Sequence, residues 1–289
     1  MTEPSQTAFI TGGASGIGRA VAEMLVFKGF RVFIADCDLS GAQSLSSTLN
    51  QKYKSDLIHC AETDVSSWPS QLTAFQKAVD TFKRIDYVFP IAGIAERQWI
   101  PKPSENSTGF QEPDLGVLDI NLKGVLYSVA LAVQQFRRQE IDSYGFRGKI
   151  GVVASVCGFY TIPTLPVYTA AKHGVVGLIR SYGQYLPKSA ITLNAICPNV
   201  VRTSISTSQF YDRVESEGLL VPMEGILAAF ENMLGENGES GVIWECGPKG
   251  GFVRRARVQE MEEGRGGYLD GESRRSCELI YERALALHE

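Results

Sequence analysis

The chain has 289 residues, 44% of them apolar, and a formal net charge of −4. That length suits one large α/β domain or two small ones, and the apolar share is ample for a buried core. The charge leaves no electrostatic footprint for nucleic acid or an anionic membrane, three histidines argue against a His-rich metal site, and no apolar run approaches the ~20 residues that span a bilayer.

At the N-terminus, "MTEPSQ" lacks the basic-then-apolar order of a secretory signal. A first strand is expected at 8–10 and a helix at 15–28, whose apolar positions 17, 21, 24 and 25 share one face and whose stop is Gly29. A strand at 31–36, a helix at 39–53, a strand at 57–60 and a helix at 68–82 with Pro69 near its start follow. A fourth strand and its turn occupy 85–93. Residues 96–114, with Pro101, Pro103 and Pro113, read as a long loop of the kind that is usually functional or mobile. Then come a long helix at 115–139, a strand at 149–155, a helix at 167–186, a strand at 191–197, a short helix near 223–234 and a last strand at 241–246. The strands are continuously apolar and alternate with helices, so the expectation is α/β: a doubly wound parallel sheet of about seven strands with helices on both faces. One domain would cover 1–250, and 251–289, rich in Arg and Glu, would be a charged C-terminal extension. Six scattered cysteines without a CxxC pair read as free thiols in a reducing, cytoplasmic setting.

The stretch "TGGASGIG" at 11–18 stands where the first strand becomes the first helix. Glycines there let a ligand approach the backbone, and a helix N-terminus offers unpaired N–H groups and a positive dipole end, which suit a pyrophosphate. Asp36, at the end of the second strand, stands where a ribose-binding carboxylate belongs in a Rossmann fold. A 2′-phosphate ~4 Å away would be repelled by about 4 kcal/mol per unit charge at an effective dielectric of ~20. NAD is therefore expected rather than NADP.

The spacing Gly12-xxx-Gly16-x-Gly18 resembles that of the short-chain dehydrogenase/reductase family. "TDV" (63–65), "IAG" (91–93), "IN" (120–121), Ser155, the Tyr168-xxx-Lys172 pair and "CPNVVRTSI" (197–205) resemble further motifs of that family, over roughly 6–247. "YTAAKHGVVGLIRS" followed by "LNAICP" is similar to its 15-hydroxyprostaglandin dehydrogenase branch. The resemblance implies cofactor contacts from Gly12, Ser15, Gly16, Ile17, Gly18, Asp36, Asp64, Val65, Ala92, Gly93, Lys123, Tyr168, Lys172, Val201 and Thr203. It implies a catalytic set of Ser155, Tyr168, Lys172 and Asn121, with Asn121 holding a water that links Lys172 to solvent. Pro90 and Ile91 depart from it, standing where the family has two asparagines; Ile91 cannot brace its turn by side-chain hydrogen bonds. Asn199 replaces a glycine and, as a residue tolerant of the left-handed region, is expected to keep the loop's shape.

Tyr168 and Lys172 are i and i+4, on one helix face. A phenol is a poor base at neutral pH, but an adjacent ammonium and an oxidised nicotinamide lower its pKa, so Tyr168 could exchange a proton with an alcohol or ketone oxygen. Ser155, at the end of the fifth strand, could hydrogen-bond that oxygen. The expected activity is NAD-dependent interconversion of a secondary alcohol and a ketone. The alternatives are a non-catalytic dinucleotide-binding sensor or scaffold and a cofactor-retaining isomerase on the same fold. Trp99, Phe159, Tyr160, Ile162, Leu165, Phe210 and Tyr211, in three irregular segments, suggest a moderately large lipophilic substrate; covering the core or a subunit contact is the competing role. A homodimer or homotetramer through 115–139 and 167–186 is expected, because Leu126, Val129, Val133, Val176 and Ile179 exceed what one sheet face needs.

Overall fold

The strands are buried on both faces, and that decides the architecture. Thr7–Thr11 (β1) is buried at every position and Arg31–Asp36 (β2) at all but its first, so neither can lie at a wet surface. The computed structural model describes residues 6–102 and 109–255. After β1 and β2 come β3 (Ile58–Glu62), β4 (Tyr87–Pro90), β5 (Gly148–Val153), β6 (Ile191–Pro198), β7 (Ile243–Cys246) and β8 (Phe252–Arg255). The sheet order is β3-β2-β1-β4-β5-β6-β7-β8, and the pairs from β3 through β7 are parallel. Strand order reverses between β1 and β4, the place where open α/β sheets open a crevice at the strands' carboxyl ends.

Side-chain alternation splits the core into two layers. Ala8, Ile10, Val32 and Ile34 point to a layer closed by α1 (Gly16–Phe27), α2 (Leu39–Tyr53) and α7 (Met223–Glu231). Phe9, Phe33 and Ala35 point the other way, to a layer closed by α3 (Trp68–Phe82), α4 (Gly116–Phe136) and α5 (Pro166–Tyr185). Phe9 stacks on Phe33 at 5.9 Å and meets Phe75 of α3 edge-on at 5.0 Å. Local signals start the helices: Asp38 caps α2 by accepting from Gly41 N at 2.9 Å, and Pro69 opens α3.

Two elements were not expected. α6 (Ser208–Ser216) buries only Tyr211, too little to leave an apolar period, and β8 carries a mostly exposed "FVRR". β8 makes the sheet eight-stranded and runs beyond residue 250, where the domain was expected to end. Residues 256–289 of the expected C-terminal extension, and 103–108 of the expected long loop, lie outside the described residues. Helix α4 is long and apolar enough on average to cross a bilayer by length and composition, although Asp119, Asn121 and Lys123 interrupt its apolar run. Half of that span is buried: Val125, Val129, Ala132, Val133 and Phe136 belong to the second core layer. The same packing leaves only one residue of the argument for assembly. Val129, Val133, Val176 and Ile179 are spent within the chain, and of the five residues only Leu126 is exposed.

One buried side chain fastens α3 to α4. Gln71 is fully buried; its amide donates to Val65 O at 2.6 Å and Gly124 O at 2.9 Å and accepts from Ser128 Oγ at 2.7 Å. Gln71→Leu keeps the volume but strands these partners. Its expected cost is about 2–4 kcal/mol of stability, read as a lower urea midpoint at unchanged slope.

Candidate active site

Four turns leave the carboxyl ends of β1, β4, β5 and β6 and meet around the reversal point. The turn after β1 is shaped by two glycines with positive φ, Gly12 at 74° and Gly16 at 52°. A Cβ on Gly12 would lie 2.6 Å from Ala92 Cα, and one on Gly18 would lie 2.1 Å from the Gly12 carbonyl oxygen. Backbone therefore packs on backbone here, and α1 begins hard against its own strand. Ser15, the residue at the N-cap of α1, makes no capping bond; its hydroxyl lies 3.1 Å from Ser204 Oγ. Among the described residues, no side chain caps the first turn of α1, as an anion site requires. Ile17 packs partly into the first core layer. Asp36 is held at both oxygens, Oδ2 accepting from Ala14 N and Oδ1 from Asp38 N, each at 2.9 Å. Glycine cradle, uncapped helix and fixed carboxylate fit a dinucleotide.

The turn after β4 is braced from outside. The Thr11 hydroxyl accepts from Ile91 N at 3.2 Å and Ala92 N at 3.4 Å. Asn121, fully buried in a π-helical stretch of α4, accepts from Ile94 N at 2.9 Å and donates to Ile94 O at 2.8 Å. These bonds supply what Ile91 lacks. They also tie both polar atoms of the Asn121 side chain to main chain, so Asn121 braces the turn after β4. Two positions on, Glu96 accepts from Tyr168 N at 2.7 Å.

Ser155, Tyr168 and Lys172 come together as expected. Ser155 is buried just past β5 and accepts from Cys157 N at 3.1 Å. Lys172 Nζ donates to Val153 O at 3.1 Å and lies 5.6 Å from the centre of the Tyr168 ring. A Cβ on Gly93 would stand 3.2 Å from Asn121 Oδ1 and 3.8 Å from Lys172 Nζ, so the β4 turn closes the cluster. Burial pushes the Tyr168 phenol up to about 12, against a lowering influence from Ser155. Burial also pulls the Lys172 ammonium down to about 8. In the protein alone, then, desolvation outweighs the expected help of Lys172 to the phenolate.

The remaining expected contacts fall into two groups. Val65 and Val201 are buried beside the site's turns, and Thr203 lies over Gly16, whose added Cβ would meet it at 3.1 Å. Asp64 is exposed and accepts from Ser66 N. Lys123 is paired with Asp119 at 2.5 Å, on the exposed side of α4. Asn199 is not left-handed; its N–H donates to Cys246 O at 3.0 Å, so the replaced glycine is not needed for its backbone freedom. Of the expected pocket residues, Tyr211 is buried with its hydroxyl 3.2 Å from Thr203 Oγ1, while Tyr160, Ile162 and Phe210 are exposed. Thr11, Glu96 and Ser204 were missed. Each acts across long sequence separation, although Thr11 and Ser204 lie inside the stretches 11–18 and 197–205 that carry the family resemblance.

A parallel sheet reversing beside a glycine turn that opens an uncapped helix is the Rossmann architecture. Solved structures share it: a 3-hydroxyacyl-CoA dehydrogenase type-2 from Mycobacterium avium (TM-score 0.71, 23% identity, 87% of this chain and 98% of that one) and a 3-ketoacyl-(acyl-carrier-protein) reductase from Brucella melitensis complexed with NADH (TM-score 0.70, 22% identity, 84% and 97%). The short chain dehydrogenase family profile matches residues 6–213. A short-chain dehydrogenase/reductase of Penicillium roqueforti is 32% identical over 215 residues, 73% of this chain and 59% of the fungal protein's length. Human 15-hydroxyprostaglandin dehydrogenase (NAD+) is 32% identical over 205 residues, 70% of this chain and 71% of the human protein. The chain belongs to the short-chain dehydrogenase family of oxidoreductases.

Gly12→Ala tests the cradle. Positive φ and the 2.6 Å approach to Ala92 should together cost about 2–4 kcal/mol in urea unfolding. NADH binding, followed by fluorescence, should weaken at least tenfold.

Proposed function

We propose that the protein is an NAD-dependent dehydrogenase that interconverts a secondary alcohol and a ketone on a moderately large lipophilic substrate. The observation that carries this reading is the convergence of Tyr168, Lys172 and Ser155 at the strand ends next to the glycine cradle. When bound, the nicotinamide supplies the hydride acceptor and, in its oxidised form, a positive charge. Ser155 donates a hydrogen bond to the substrate oxygen, and Tyr168 takes that oxygen's proton during oxidation or returns it during reduction. Lys172, fixed by Val153 O, keeps an ammonium beside the phenol and can hold ribose hydroxyls. Exposed Tyr160, Ile162 and Ile205 on the loops after β5 and β6, and Phe210 on α6, favour an apolar substrate.

The dinucleotide is NAD in this reading because Asp36 cannot swing away: both its oxygens are held by backbone N–H groups. Their remaining lone pairs suit a ribose 2′-hydroxyl, and their charge opposes a 2′-phosphate. Assembly as a homodimer or homotetramer, and a cytoplasmic location, belong to the same reading. The exposed Leu126 supports the first, and free thiols at Cys37, Cys60, Cys157, Cys197 and Cys246 support the second.

Tyr168→Phe should abolish alcohol oxidation, monitored at 340 nm, while leaving NAD affinity within a few-fold. For the unmodified protein with saturating oxidised cofactor, oxidation should rise with pH, because the base form of Tyr168 is required. Ketone reduction needs the acid form and should fall only at higher pH, because the reduced nicotinamide carries no positive charge. The apparent pKa for oxidation should lie well below the value near 12 of the protein alone, since the oxidised cofactor's charge opposes the cost of burial. Substantial turnover by Tyr168→Phe would remove Tyr168 from this role.

Cofactor choice has its own test. NAD should bind tighter than NADP by at least tenfold in titration calorimetry, and Asp36→Ala should narrow that ratio by weakening NAD and relieving NADP. Equal affinities in the unmodified protein would overturn the assignment.

A further inference from the structure

Helix α5 carries both Tyr168 and Lys172, yet its start has no local cap. Leu165, at the N-cap, has no side-chain acceptor, and Pro166 has no N–H to offer. The N–H of Tyr168, in the first turn, is satisfied from 72 residues away by Glu96 Oε2 at 2.7 Å. The other oxygen, Oε1, is shut off from solvent without a hydrogen-bond partner among the described residues, and so is the Thr169 hydroxyl one position along. An unpaired buried acceptor costs stability. A residue selected only to strengthen this junction would not carry one.

The segment that presents Glu96 is itself fastened. Thr11 holds Ile91 and Ala92, and Asn121 holds both main-chain atoms of Ile94. Beyond Glu96 the chain runs on into the irregular segment 97–102. Glu96 therefore joins the braced β4 turn to the backbone of Tyr168 itself. Its charge also suits the positive end of the helix dipole.

We propose that Glu96 is a positioning residue for proton transfer: its hydrogen bond to the Tyr168 amide sets the height of the phenol relative to Ser155 and the β4 turn. This rests on the reading of Tyr168 as the proton-transferring group. What matters is an acceptor at the right reach, rather than the negative charge. Gln at this position keeps reach and acceptor and loses the charge. Asp keeps the charge and withdraws the acceptor by about one bond, ~1.5 Å. A misplacement of that order can cost up to about a hundredfold in rate.

The test compares Glu96→Gln, Glu96→Asp and Glu96→Ala in alcohol oxidation with NAD, with Tyr168→Phe as the inactive control. Expected are kcat within about threefold of the unmodified protein for Gln and at least tenfold lower for Asp and Ala, at a KM for NAD unchanged within twofold. Hydrogen exchange at the Tyr168 amide should quicken in Asp and Ala and not in Gln, a readout that does not need turnover. Unchanged kcat in Glu96→Ala, or Gln as impaired as Ala with both folded, would overturn the proposal while leaving the role of Tyr168 intact. Activity persisting in Tyr168→Phe would instead overturn the reading beneath it. If Glu96→Ala does not fold, the Gln–Asp contrast decides alone.

Discussion

The contact on which the site depends is backbone against backbone, between Gly12 after β1 and Ala92 after β4. β1 and β4 are neighbours in the sheet although 75 residues of chain, on the far side of the sheet order, separate their ends. Nothing bulkier than a hydrogen fits between the two turns. The closeness lets the Thr11 hydroxyl reach Ile91 and Ala92, and it brings Gly93 up to Asn121 and Lys172. The cofactor cradle and the Tyr–Lys cluster are thereby parts of one rigid corner. Preorganisation of this kind costs nothing at the moment of reaction, because the folding of the sheet has already fixed it.

The electrostatics of that corner are unfinished in the protein alone. Tyr168 and Lys172 are both driven toward their neutral forms by burial. The lysine's bond is to a carbonyl, Val153 O, and the Glu96 carboxylate is bound to the Tyr168 amide rather than to Lys172. Burial thus favours the neutral phenol, and a positive charge placed beside it would shift it toward the phenolate. Asp36, at the opposite end of the cradle, is a fixed acceptor whichever ligand arrives.

Much of this could be seen in the sequence, for physical reasons that differ by element. Strands 31–36 and helices 39–53 and 68–82 have strong periodicity and clear starts, Asp38 and Pro69 among them, and their bounds agree with the structure. α6 and β8 bury too little to leave a pattern. The glycine turn, Asp36, Ser155 and the Tyr168–Lys172 spacing are local signals, and the structure assembles them. Thr11 and Glu96 act through hydrogen bonds to main chain across about 80 and 72 residues, and such bonds leave no trace in composition or spacing. The supposed apolar excess on α4 and α5 was misjudged because both helices bury more than one stripe. Val129, Val133, Val176 and Ile179 all face the same layer as Phe9 and Phe33.

The difference between the two core layers at β1 and β2 specifies the register of their pairing. On one side of these strands lie Ala8, Ile10, Val32 and Ile34; on the other lie Phe9 and Phe33, stacked in register. A slip of β2 by one residue would turn Phe33 toward α1. There a Cβ on Gly13 would already stand 2.9 Å from Ile34 Cγ2, leaving no room for a ring. Misregistered chains therefore meet a steric penalty at the earliest strand pair. The turn that shapes the ligand cradle also rejects the wrong pairing of the strands beneath it.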